Sequence, residues 1–96
     1  MTEREIADAY PDCPDVIAFI ERSEAEGFPM DVAREWALGR PNSVEAFIQS
    51  IKLIGMETRA ETNLAPSDFE EMFDKALPQF DSPGFRKYVV AKLGLV

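Results

Sequence analysis

The chain has 96 residues, a length that fits one folded domain and leaves no room for a second. Acidic residues outnumber basic residues by 18 to 10, which gives a formal net charge of −8 at pH 7. This charge argues against a surface that binds nucleic acid or an anionic membrane by overall attraction. The sequence contains no histidine, which excludes Ser-His-Asp and Cys-His catalytic arrangements and histidine zinc ligands.

The N-terminal part of the chain predicts two short helices. Thr2 and Glu5 have the spacing of a capping box, and Pro11 ends the helix that follows. Asp12 is the expected cap of the second helix, and Gly27 is its expected end. Apolar residues at positions i, i+3, i+4 and i+7 give this second helix one apolar face. They are Cys13, Val16, Ile17 and Ile20.

A third segment opens at Pro29 and stops at Gly39, and the most hydrophobic helix follows it. This fourth helix begins at Asn42, which has capping-box spacing to Glu45, and it is predicted to end at Gly55. Its long apolar stripe consists of Val44, Phe47, Ile48, Ile51 and Ile54. We therefore expect it to be the central helix of the core. The residues predicted to be buried together are Phe47, Ile48, Ile51, Ile54, Phe69, Phe73 and Val89, with Ile17 and Ile20 against them and Trp36 at the margin.

Residues 56–65 carry no sustained apolar period, which predicts a long or mobile loop, with a frayed helical turn over residues 57–62 as the alternative. After this loop, Ser67 and Glu70 form a third pair with capping-box spacing. They predict a fifth helix that Pro78 closes.

A last helix is predicted with Asp81 or Ser82 as its cap, Pro83 in its first turn and Gly94 as its stop. No stretch alternates between apolar and polar residues in the manner of a strand, and no Asn-Gly or Asp-Gly hairpin turn occurs. The predicted fold class is all-α, with five or six short helices in one compact domain over residues 1–96.

Few residues could carry chemistry. The five glycines stand singly, so there is no phosphate-binding loop, and no CxxC, HExxH or calcium-loop pattern is present. Cys13 is the only cysteine and starts an apolar stripe, which predicts a buried, inert thiol; a thiol activated by the helix N-terminus is the alternative. We expect no catalytic residue, no cofactor and no metal site.

Two further functions fit the residues less well. Residues 30–54 have the order helix, Gly-Arg-Pro turn, helix, as in a DNA-binding helix-turn-helix. The exposed positions of the second helix would be Glu45, Gln49, Ser50 and Lys52. One cation among them makes a poor surface for the major groove. Carboxylates three residues apart could serve acid–base catalysis, but a solvated helix face is their commoner role and a domain this small has little room for a pocket.

The acidic residues are concentrated in the N-terminal part of the chain. Residues 1–35 hold ten acids and three bases, whereas residues 83–96 hold three bases and no acid. Helix-end preferences explain this only in part, because several acids lie at the C-terminal end of the second helix, where the dipole disfavours them. We therefore predict an acidic partner-binding face formed by Glu21, Glu24, Glu26, Asp31, Glu71 and Asp74.

These features favour a non-enzymatic protein that binds a protein partner through that partner's basic surface. In its sharper form the hypothesis is a nucleic-acid mimic, similar in type to small acidic phage proteins that inhibit restriction or CRISPR complexes. The alternative is an accessory or assembly subunit that binds through an apolar patch around Met30, Trp36 and Met56. The charged N-terminus, the short apolar segments and the single cysteine predict a cytoplasmic protein with no membrane contact and no direct nucleic-acid binding.

Overall fold

The structure is a computed structural model that describes residues 2–95 apart from the side chain of Ala25. Within this range it contains α-helices, two 3₁₀ helices and no strand, which confirms the predicted all-α fold. The six α-helices are α1 (Glu3–Ala9), α2 (Pro14–Arg22), α3 (Met30–Ala37), α4 (Ser43–Thr62), α5 (Pro66–Ala76) and α6 (Pro83–Leu93). The first 3₁₀ helix (Glu24–Glu26) follows α2, and the second (Leu77–Asp81) joins α5 to α6.

Aromatic rings from distant parts of the chain form the centre of the core. Phe47 of α4 and Phe85 of α6 are fully buried and stack with their ring centroids 5.9 Å apart. Phe80 packs against both rings, and Phe73 connects Phe80 to Phe19 of α2 at centroid distances of 6.5 and 5.7 Å. Each such pair contributes about 0.5–1.5 kcal/mol beyond the burial of its area.

Most of the apolar residues that the sequence predicts to be buried together are buried. They are Ile17, Ile20, Phe47, Ile51, Phe69, Phe73 and Val89. Ile48 and Ile54 are only half-buried, because they lie on the two flanks of the line of α4 residues that faces the core. Trp36 is half-buried at the margin of the core, as predicted.

Helix α4 continues through the segment predicted as a loop, so that prediction is wrong. Gly55, predicted to end the helix, is buried in its interior. A Cβ atom at this position would collide with the ring of Phe19, so the glycine permits the close approach of α2. Beyond Gly55 only Thr58 is buried in α4, which is why the sequence shows no apolar period there. The helix ends before Asn63, which is in the left-handed region at φ 57°.

Of the three predicted capping boxes, only that of Thr2 and Glu5 leaves a side-chain cap in the structure. The N–H of Glu5 donates to the Thr2 hydroxyl oxygen over 3.2 Å. Asn42 is in the left-handed region at φ 64° and makes no side-chain capping bond to α4. Ser67 lies inside α5, because that helix already begins at Pro66.

Asp12, predicted to cap α2, instead caps α6. Its carboxylate accepts a hydrogen bond from the N–H of Gly84 in the first turn of α6, with an N···O distance of 3.0 Å. Ser82 directly precedes α6 but makes no capping bond; its hydroxyl donates to the Asp12 carbonyl over 3.1 Å. These two hydrogen bonds therefore hold the N-terminal end of α6 to the segment that leads into α2.

The N-terminus of α2 is capped from the second 3₁₀ helix. The N–H groups of Asp15 and Val16 donate to the side-chain oxygen of Gln79 over 2.9 and 3.0 Å. The Gln79 amide nitrogen donates in return to the Asp15 carboxylate over 2.7 Å. A residue 64 positions away thus supplies this cap, and no local spacing in the sequence indicates it.

Gly55→Ala should destabilise the protein by about 1–3 kcal/mol, because the collision with Phe19 outweighs the roughly 1 kcal/mol that alanine gains in an open helix. Urea unfolding measures the change. Ala60→Gly, at an exposed position of the same helix, is the control and should cost about 1 kcal/mol if α4 extends this far. A higher melting temperature for Gly55→Ala would contradict the close packing.

The Asp12 cap should make stability sensitive to acid. The hydrogen bond from Gly84 lowers the pKa of the Asp12 carboxyl below its ordinary value of 3.8. The stabilisation is therefore complete above the unfolded-state pKa and is lost as the pH falls through the lowered pKa. The melting-temperature difference between the wild type and Asp12→Ala should shrink as the pH drops below about 4.

Asp81→Ala is the control, because Asp81 is an exposed acid next to the same helix that makes no capping bond. A wild-type advantage over Asp12→Ala that stays constant from neutral to acid pH would contradict the role assigned to this carboxylate.

Candidate functional site

An open groove of about 560 Å³ lies between α1, α2 and α5. Its floor is apolar, since Ile6 and Phe19 are buried beneath it and Ala18 and Met72 are half-buried. A second hollow of about 280 Å³ shares Ile6 and Ala18 and extends the groove to Pro14 at the start of α2. The floor is thus a continuous apolar strip along α2.

The rim of the groove is mainly acidic. The carboxylates on it are Glu3 from α1, Asp15 and Glu21 from α2, and Glu24 from the first 3₁₀ helix. Arg22 and Lys75 stand on the same rim, so the lining residues carry two more negative than positive charges. An apolar floor beneath an acidic rim matches lysine and arginine side chains, which have an apolar stem and a charged end.

Two rim carboxylates are held in position by α6. The Tyr88 hydroxyl donates to Glu21 over 2.9 Å, and the Lys92 ammonium group donates to Glu24 over 3.0 Å. The bond from Lys92 lowers the pKa of Glu24, and burial raises the pKa of Tyr88, which keeps that hydroxyl protonated. Carboxylates that are already fixed lose less conformational entropy when a partner binds.

Glu3 and Asp15 are groove residues that the sequence analysis did not identify. Both lie in the first turn of a helix, where the helix dipole alone accounts for an acidic residue. Asp15 is held by the Gln79 amide nitrogen at 2.7 Å. Only the packing of α1 against α2 brings Glu3 to the same rim, and the sequence carries no local signal of that contact.

The structure divides the six predicted partner-binding residues between the groove and other surfaces. Glu21 and Glu24 line the groove. The other four do not line it: Glu26, Asp31, Glu71 and Asp74. Among these, Asp31 is exposed on α3 and the last two are exposed on α5.

Glu26 belongs to a separate group of carboxylates with Glu57 and Glu61 near the C-terminal end of α4. A hydrogen bond with Glu61 raises the pKa of Glu26, and burial and the charges of both neighbours act in the same direction. Within residues 2–95, neither of the two close ion pairs involves this group. The charges of Glu57 and Glu61 therefore oppose the ionisation of Glu26.

Cys13 is fully buried at the start of α2. Burial, together with the nearby Asp12 carboxylate, raises the pKa of its thiol to about 12. Almost no thiolate exists at neutral pH, and the thiolate is the nucleophilic form. The environment of Cys13 is that of a structural cysteine.

No protein-family model, no curated protein and no solved structure matches the chain. In the part of the chain that the structure describes, no three or more Cys, Asp or Glu side chains are grouped so that they could hold a metal ion. No helix in that part is long and apolar enough to cross a bilayer. The function is therefore inferred from the groove and from its charges.

The native Cys13 thiol should react with an aromatic disulfide reagent at least about 100-fold more slowly than the thiol of the urea-unfolded chain, because burial and the raised pKa both suppress attack. The release of the chromophore measures both rates. Cys13→Ala should keep the helical circular dichroism and lose about 1 kcal/mol of stability. A native thiol that reacts as fast as the unfolded one would contradict its burial.

Proposed function

We propose that this protein binds a protein partner and catalyses no reaction, and that its acidic groove receives a basic segment of the partner. In the sharper form of the proposal, the partner is a nucleic-acid-binding protein of the restriction or CRISPR type, and the groove masks its basic channel. One observation carries the proposal: the apolar floor is bordered by carboxylates, and Asp15, Glu21 and Glu24 each accept a hydrogen bond from a neighbouring side chain.

The groove and the net charge support different steps of binding. A lysine or arginine stem can pack on Ala18 and Phe19 while its charged end reaches a rim carboxylate. The net charge of −8 acts over a longer distance and speeds the encounter with a basic surface. Neither step requires a catalytic group.

The environment of α4 weighs against the helix-turn-helix alternative. The ammonium group of Lys52 lies 5.3 Å from the centroid of the Phe73 ring, and the Lys52 side chain is half-buried. The exposed face of α4 presents Gln49, Leu53 and Met56. These residues offer little attraction to phosphate groups.

The apolar-patch alternative depends on Trp36 as a binding anchor. Its ring packs against Phe47 and Phe85 at centroid distances of 5.1 and 5.5 Å. Aromatic anchors at interfaces insert into pockets of the partner, and a ring already packed on the core has less surface to offer. The groove is therefore the better candidate.

The test first captures the partner from host lysate at low and at high salt and then measures association kinetics with the purified partner. The groove variant combines Asp15→Asn, Glu21→Gln and Glu24→Gln, which remove charge but keep a side-chain oxygen for each observed hydrogen bond. It should weaken binding by about tenfold to a hundredfold, mainly through slower association, because each exposed pair contributes up to about 1 kcal/mol.

The matched control combines Asp31→Asn, Glu71→Gln and Asp74→Asn, which change the net charge equally outside the groove. It should weaken binding by no more than about threefold. Lys87→Gln removes a positive charge and should leave the association rate with a basic partner unchanged or raise it. Lys92 is not suitable as such a control, because its ammonium group forms an ion pair with Glu24 on the groove rim. Equal losses in the two triple variants would contradict the groove as the binding site.

A further inference from the structure

The outer face of α4 carries five exposed residues at the spacing of a coiled-coil seam. They are Ala46, Gln49, Leu53, Met56 and Ala60, separated alternately by three and four positions. This spacing assigns them to heptad positions a, d, a, d and a. Leu53 is 59% exposed and Met56 is 41% exposed, so the largest apolar side chains of this seam are open to solvent.

This seam is unusual for a surface helix of an acidic protein. The side of a helix that faces away from the core normally carries charged and polar residues. The five seam residues carry no charge, although the chain has a net charge of −8. None of them lines the groove, so whatever covers the seam leaves the groove open.

The charged residues beside the seam indicate what covers it. Lys52 is at a heptad g position, on the flank next to Phe73 of α5. Glu57 is at an e position, on the opposite flank, near Glu26 of the first 3₁₀ helix. In a parallel pair of helices, a g residue of one chain faces the e residue five positions further along the other chain. Lys52 of each copy would therefore meet Glu57 of the other copy once its ammonium group turns away from the Phe73 ring, whose centroid is 5.3 Å away in the single chain.

We propose that the protein self-associates as a parallel, twofold-symmetric dimer through the α4 seam. The two Lys52–Glu57 pairs would border an apolar centre formed by Leu53 and Met56. Each Lys52 would also supply a cation next to Glu57, whose charge and that of Glu61 oppose the ionisation of Glu26 in the single chain. An antiparallel pair would set e against e and leave Glu57 without a cation.

The dimer should be weak, because two heptads of one helix bury much less than the roughly 1,200–2,000 Å² of a stable interface. We expect a dissociation constant on the order of 100 µM. Sedimentation equilibrium from about 10 µM to about 1 mM should show mass rising from monomer towards dimer. A constant monomer mass over that range would overturn the proposal.

Leu53→Glu should abolish the concentration dependence, because it places a charge in the centre of the seam. Leu38→Glu is the matched control, since Leu38 is 57% exposed at the end of α3 and the substitution changes the net charge equally. It should leave the dimer intact. Loss of the dimer in Leu38→Glu with retention in Leu53→Glu would overturn the assignment of the interface to α4.

A charge exchange tests the pairing of Lys52 with Glu57. The single variants test the parallel orientation, because an antiparallel pair already sets Lys52 against Lys52 and Glu57 against Glu57 and would not be weakened further by either substitution. Lys52→Glu alone and Glu57→Lys alone should each be monomeric, because each sets like charges against each other across the interface. A mixture of the two variants should form a heterodimer, because one chain then carries acids at both flanking positions and the other chain carries lysines at both. Circular dichroism confirms that both variants are folded, and a mixture that stays monomeric would overturn the parallel pairing.

Discussion

The packing of α2 against the second 3₁₀ helix and α6 is the contact on which the rest of the structure depends. Ile17 of α2 is fully buried, and hydrogen bonds join α2 to the second 3₁₀ helix at its N-terminal end and to α6 near its C-terminal end. Gln79 caps the N-terminus of α2, and Asp12, which precedes α2, caps the N-terminus of α6. The Tyr88 hydroxyl of α6 donates a hydrogen bond to Glu21 near the C-terminal end of α2. The bonds from Gln79 and Tyr88 also hold two rim carboxylates of the groove, those of Asp15 and Glu21.

The groove and the α4 seam are surfaces of different physical type. The groove combines charge with a small apolar floor, so the proposed basic partner would gain from long-range attraction and would lose affinity as salt is added. The five seam residues are uncharged, so a dimer would gain from apolar contact that salt does not screen, and salt would weaken only the Lys52–Glu57 pairs beside them. The net charge of −8 would assist binding of a basic partner and would oppose the pairing of two identical chains. A protein with both surfaces could hold a partner on each copy.

Only some residues of the candidate site could be predicted from the sequence. Glu21 and Glu24 stand out because the helix dipole cannot explain acids at the C-terminal end of a helix. Glu3 and Asp15 have the same charge, but their positions in first turns already account for them. Which of the remaining acids share a surface depends on how α1 and α5 pack beside α2, and the spacing of residues along one helix contains no information on that packing.

The sequence by itself determined the helices and several of their ends. Apolar periodicity and proline placement act over a few residues, and so does the Thr2 cap, which the structure retains. Tertiary structure decided the features that join distant residues. Gly55 has the local pattern of a helix stop, yet the ring of Phe19 requires a glycine there inside a longer helix. Asp12 has the local pattern of a cap for α2, yet it bonds to α6, because a carboxylate binds whichever unpaired N–H group the folded chain brings nearest.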